Sequence, residues 1–231
     1  MPSRVKAASV QGFDNDMQKE TFSTKIPLPE PELLPSHSID FLELVELRQS
    51  VRTYSQRPLR LVELSYLLWC TQGIKTVLAD GRTLRNVPSS KGLHALETWL
   101  LVRHVENLEA GIYRYDALAH ALEQIHLQED LAEVQKQILA AFPAQSVAHQ
   151  GAVLFIWLAN VKRALQAHDQ NLFRAMDLDT GHVSENLYLA AQVLHLGTCA
   201  TDTFAIEPLL RALELRPERY VPTLVSVVGK Y

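Results

Sequence analysis

The chain has 231 residues, 47% of them apolar, and 22 basic against 26 acidic side chains give a net charge of −4. That is enough to bury the core of one domain, and without a basic surplus nucleic acid is not an expected partner. Cys70 and Cys199 lack CxxC spacing and read as buried thiols of a reducing cytoplasm, while the absence of a membrane-length apolar run or an apolar signal core in MPSRVKAASVQGFDND predicts a soluble, cytoplasmic protein with no membrane partner.

Residues 1–36 read as an N-terminal arm, polar and aperiodic at first and then proline-rich through IPLPEPELLPS, where prolines forbid a helix and favour an extended chain. Such an arm dangles or wraps over a neighbour. Residues 37–231 read as a single domain. Ser38 or Asp40 caps a helix through FLELVEL that ends near Arg48, and LVELSYLLWCTQG is a second amphipathic helix stopped by Gly73. Asp80-Gly81 suits a tight hairpin turn. After the loop NVPSSKG, Ser89 or Ser90 caps a helix through LHALE, and TWLLVRHV, GIYRY and ALEQIHL form three strands. EDLAEVQKQILAAF has helical period, AVLFIWLAN is the buried strand expected at the centre of a sheet, and VKRALQAHDQNLFRAM returns to helix. TGHVSENLYLAAQVLHLG is a long buried helix stopped by Gly197. A helix over 206–215 and a final strand VPTLVSVVG complete an α+β chain.

Neither GxGxxG nor GxxxxGK[ST] occurs, so any phosphate must be held by side chains. Arg48, Ser50 and Arg52 alternate in RQSVRTY, which in an extended segment sends them to one side, and a guanidinium fork matches phosphate oxygens. The simpler reading is a solvated helix end where arginine satisfies carbonyls. Pro88, Ser89, Ser90 and Lys91 precede a predicted helix and suit an anionic or electron-rich ligand, or an ordinary serine cap. His182 and Glu185 share a helix face, but two ligands without a third do not make a metal site. Nothing local activates Cys199 as a nucleophile.

In this order, RQSVRTY, LSYLLWCTQGI, VPSSKGLHALETWLLV, LEAGIYRYDALAHALE, LDTGHVSENLYLAAQVLHLGTCA and VPTLVSVVGK resemble the nitroreductase family of FMN-dependent oxidoreductases, and within it the SagB-type dehydrogenase branch. The resemblance spans 28–231. It implies a nitroreductase-like α+β fold, with a central mixed, mainly antiparallel sheet flanked by helices, in a homodimer that binds FMN at the subunit interface. By match, Arg48 and Ser50, with Gln49 between them, bind the FMN phosphate, and Arg52 reaches the pyrimidine edge. Pro88, Ser89, Ser90 and Lys91 lie against the flavin ring, and the backbone of Thr201, Asp202 and Thr203 faces flavin N5.

The flavin then carries the chemistry, with no catalytic side chain and no metal. The resemblance implies ping-pong hydride transfer from a reduced donor such as NAD(P)H to an electron-poor small-molecule acceptor. The alternatives are a SagB-like dehydrogenase acting on a small metabolite or modified peptide, and a non-catalytic flavin-binding dimer. Three departures stand out. Lys91 replaces the usual glycine of the loop. Arg174 and Ala175 stand where azoline dehydrogenases carry a Lys-Tyr pair. Lys230 substitutes for the basic tail with which many relatives hold phosphate.

Overall fold

The structure, a computed structural model, describes residues 25–31, 39–166 and 171–231. In chain order the elements are β1 (Lys25–Pro27), α1 (Phe41–Leu47), α2 (Leu61–Gln72), β2 (Ile74–Val77), β3 (Thr83–Arg85), β4 (Leu96–Val102), β5 (Gly111–Asp116), β6 (Ala121–Ile125), α3 (Leu131–Ala140), β7 (Val153–Asn160), α4 (Val161–Leu165), α5 (Leu172–Val193), β8 (Gly197–Thr201), α6 (Ile206–Ala212) and β9 (Tyr220–Gly229). Asp40 caps α1 through its carboxylate, and Arg48 ends it. Ser38 and residues 1–24 and 32–37 lie outside the described residues.

Seven strands form the main sheet in the order β1-β6-β5-β4-β7-β9-β8, and β2 and β3 form a separate hairpin. Every strand ladder described is antiparallel; the parallel contribution consists of isolated bridges such as Ser50 to Thr198. The proline-rich segment begins as an edge strand of this sheet. Lys25 pairs with Asp116 at 2.7 Å, and Leu28 is buried after donating its N–H to the His120 carbonyl.

Strand alternation divides the core in two. Val153, Phe155, Trp157 and Ala159 of β7 face one layer, built with Leu64, Leu67 and Leu68 of α2 and Val183, Leu187 and Ala191 of α5. Leu154, Ile156 and Leu158 face the other, with Val134 and Ile138 of α3 and Leu209 and Leu210 of α6. Burial on both faces explains why β7 reads as an unbroken apolar run.

Three sequence expectations need correction. LHALE is not a helix: Ser90–Gly92 makes a single 3₁₀ turn, and Leu96 already belongs to β4, opposite Ala159. Ser89 caps nothing; its hydroxyl accepts the His94 N–H at 2.9 Å. Gly197 does not stop the long helix. His195, at φ +53°, takes the left-handed position, Leu196 N–H reaches the Ala191 carbonyl and His195 N–H that of Gln192, the Schellman pattern that closes a helix. In addition, NLFRAM joins the following helix: its Leu172 opens α5, while VKRAL forms the separate α4.

Candidate functional site

The segment after α1 is fixed against β8. Val51 N–H bonds the Thr198 carbonyl at 3.0 Å, and further on Ser55 N–H bonds the Lys230 carbonyl at 2.7 Å. This lays Arg48, Ser50 and Arg52 along the edge of the sheet. The Ser50 hydroxyl lies 3.1 Å from the Tyr188 hydroxyl of α5, which accepts the Ala200 N–H at 2.8 Å. Arg48 places its guanidinium carbon 5.4 Å from the centre of the Tyr188 ring, a cation–π distance. Arg52 is exposed, and one guanidinium nitrogen lies 3.4 Å from the Ser50 carbonyl. Neither arginine has a carboxylate partner among the described residues. Two guanidinium groups and a hydroxyl with no ion-pair partner among the described residues are a donor set that fits a phosphate. Gln49 is exposed beside them.

Lys230, joined through its carbonyl to Ser55, carries its amine toward a carboxylate. Its amine is 3.7 Å from Glu63 Oε2, and the same carboxylate also accepts the Arg60 backbone N–H at 2.7 Å.

The PSSKG loop is held from below by α5. The Ser89 hydroxyl donates to Asp179 Oδ2 at 2.6 Å, and the Ser90 N–H donates to Oδ1 at 2.8 Å. Lys91 and Gly92 then take φ of +53° and +67°, and His94 takes +46°. Pro88 and Lys91 are exposed. Asp179 and Tyr188 are nine residues apart, so the loop and the arginine segment stand at stations separated by about 13 Å along one helix.

The TDT stretch leaves the end of β8. Thr203 N–H reaches Thr201 Oγ1 at 3.3 Å, and the Thr203 hydroxyl reaches Asp202 Oδ1 at 3.3 Å, with Asp202 and Thr203 exposed.

Behind the loop lies a polar cluster that the sequence reading did not single out. Arg85 donates to Gln72 Oε1 at 2.9 Å, and Arg163 donates to the His94 carbonyl at 3.1 Å and faces Glu97 at 3.5 Å. Burial, and then the charge of Arg163, lower Arg85 to about 10. Burial, followed by the charge of Arg85, lowers the His94 imidazole to about 4. Asp179 and Tyr188 were also missed. The available signal was a carboxylate in the apolar stripe of α5, at helical spacing from Met176 and Val183. Burial raises the Cys70 thiol to about 11, away from nucleophilic use. Among the described residues no three His, Cys, Asp or Glu side chains gather as a metal site, and no helix is long and apolar enough to cross a membrane.

Residues 45–230 match the model of the nitroreductase family. The chain belongs to the nitroreductase family. A protein of Methanocaldococcus jannaschii that carries the name nitroreductase is 32% identical over 206 residues, covering 89% of this chain and 96% of that one. A Ralstonia eutropha structure of the same name superposes with a TM-score of 0.72 at 25% identity, covering 91% and 90% of the two chains. The nitroreductase fold recurs in a Desulfovibrio desulfuricans structure in complex with FMN, at TM-score 0.56 and 16% identity over 84% and 87%. It recurs also in a chain of the Escherichia coli microcin synthetase McbBCD complex with truncated pro-MccB17 bound, at TM-score 0.65 and 18% identity over 96% and 85%. As a nitroreductase-family member, this protein is an oxidoreductase.

Proposed function

We propose that this nitroreductase-family protein is a cytoplasmic flavoenzyme that binds FMN through Arg48, Ser50 and Arg52, with Gln49 at the edge of the site. The observation that carries the reading is the Arg48 guanidinium and the Ser50 hydroxyl gathered at Tyr188, with the Arg52 guanidinium at the Ser50 carbonyl and neither arginine ion-paired to a carboxylate among the described residues. A phosphate would supply the missing negative charge. Pro88, Ser89, Ser90 and Lys91 border the flavin ring in this reading, and the backbone of Thr201, Asp202 and Thr203 borders its reactive edge. Lys230, whose amine is 3.7 Å from Glu63, supplies a further positive charge for the phosphate in this reading. Bound FMN would supply hydride transfer between a reduced donor such as NAD(P)H and an electron-poor small-molecule acceptor. The chain's own part is to hold the cofactor, orient its ring and shape access to it.

The protein acts as a homodimer in this proposal. Phe41, Leu42, Val45 and Leu47 of α1 and Phe173 and Leu178 of α5 expose apolar side chains, as a surface awaiting a second copy would.

A SagB-like dehydrogenase acting on a small metabolite or a modified peptide is the second reading, favoured by the likeness to a chain of the microcin synthetase complex. Its azoline-oxidising form lacks support at the site: Arg174 is exposed and Ala175 carries no acid or base.

The test is the visible absorption spectrum of the purified protein titrated with FMN. Saturable binding that Arg48→Ala weakens by roughly tenfold or more supports the reading; absence of binding by the folded wild-type dimer overturns it. Bleaching of bound flavin by NAD(P)H favours the first substrate reading, and bleaching by an organic substrate alone favours the second.

A further inference from the structure

We infer that Asp179 is a positioning residue: its carboxylate sets the shape of the Ser89–Lys91 loop and thereby the grip of that loop on the flavin ring. The inference rests on the reading that this loop borders FMN.

The carboxylate lies on the inner face of α5 with 8% of the residue exposed, and both of its oxygens are directed at the loop. An ionised carboxylate only accepts hydrogen bonds, so the Ser89 O–H and the Ser90 N–H must both point toward α5. With its proton so committed, Ser89 Oγ turns a lone pair to the His94 N–H at 2.9 Å. One charged group thus orders both ends of a turn whose residues Lys91, Gly92 and His94 sit at positive φ. The turn's own bonds, Gly92 N–H to Ser89 O at 3.0 Å and Leu93 N–H to Ser90 O at 3.2 Å, close it but do not say where it stands on the domain.

A staple for stability alone does not require a charge. Leu93, Leu96, Ala164, Leu172, Ala175 and Met176 line a small, mainly apolar cavity together with Asp179 and Ser90, and burying a carboxylate in such surroundings is costly unless it is fully hydrogen-bonded. A neutral amide would fit the same space, but it would offer a donor where the loop presents two donors. The negative charge therefore selects one loop orientation, which neutral hydrogen bonding leaves ambiguous.

The experiment compares wild type with Asp179→Asn for binding of FMN and of riboflavin, which has the ring but no phosphate, and follows hydrogen exchange at residues 88–94 in the cofactor-free proteins. The expected result is a loss of roughly tenfold in affinity, equal for FMN and riboflavin, with faster exchange confined to the loop. Ser50→Ala, at the phosphate end, weakens FMN selectively and leaves riboflavin binding unchanged. Ser89→Ala, which removes one of the two bonds to the carboxylate, gives a smaller ring-side loss accompanied by faster exchange at residues 88–94 in the cofactor-free protein, which a lost contact with the ring alone would not produce, and so keeps the test decisive if Asp179→Asn fails to fold. Unchanged flavin affinity in folded Asp179→Asn, or in Ser89→Ala where Asp179→Asn does not fold, overturns the inference while wild-type binding still supports the flavin site. Wild type that binds neither flavin overturns both.

Discussion

Tyr188 unites three residues that the sequence keeps far apart: its ring lies under Arg48, and its hydroxyl meets Ser50 and the Ala200 N–H. Tyr188→Phe keeps the ring and removes the hydroxyl, leaving the Ala200 N–H without that acceptor. A loss of about 1–2 kcal/mol in urea unfolding, together with weaker FMN binding in fluorescence titration, is expected. A second residue-scale effect concerns pH. Burial first, and then the charges of Arg85 and Arg163, hold His94 near 4 against an ordinary value of 6.5. The unfolded chain therefore takes up this proton before the native one does. The resulting stability is complete above pH 6.5 and is lost as pH falls from there toward 4, by roughly 1–2 kcal/mol after allowance for solvent screening. Unfolding midpoints measured across that window should fall less steeply in His94→Gln.

At the scale of elements, period and composition identified the helices α2, α3 and α5 and the strands β5, β6, β7 and β9, because each buries one face or is wholly buried. LHALE misled because a serine followed by leucines looks like a capped helix, whereas consecutive left-handed residues at 91 and 92 turn the chain straight into β4. The end of α5 misled for a related reason: glycine is the usual left-handed residue, and here His195 fills the position. Gly151, just before β7, is a place where glycine is required. It has φ +77°, and an added Cβ would strike the Val227 side chain and come within 3.0 Å of the Val228 carbonyl. Gly151→Ala should cost roughly 2–4 kcal/mol, from left-handed strain and overpacking together, as a lower urea midpoint will show.

For the whole molecule, the central sheet with helices on both faces makes α5 a rigid beam carrying Asp179 near the loop and Tyr188 near the arginine segment. Neither end could be assigned to the other from the sequence, since the contacts join residues 90 and 138 positions apart. Among the exposed apolar side chains, Phe41, Leu42, Val45 and Leu47 of α1 and Phe173 and Leu178 of α5 lie on or next to the elements that carry the proposed site.

The sequence by itself determined the α+β class, the doubly buried β7 and most of the helices, because hydrophobic period and turn chemistry are local properties of the chain, and its motifs in order carry the resemblance to the nitroreductase family. It also nominated Arg48, Ser50, Arg52, Ser89 and Ser90. Tertiary structure alone decided which distant side chains meet them: the Asp179 carboxylate beneath the loop, the Tyr188 hub beneath Arg48, and Glu63 beside Lys230. Periodicity says which face of a helix is buried, but the partner of a buried polar group is set by how the elements pack, and no local pattern records it.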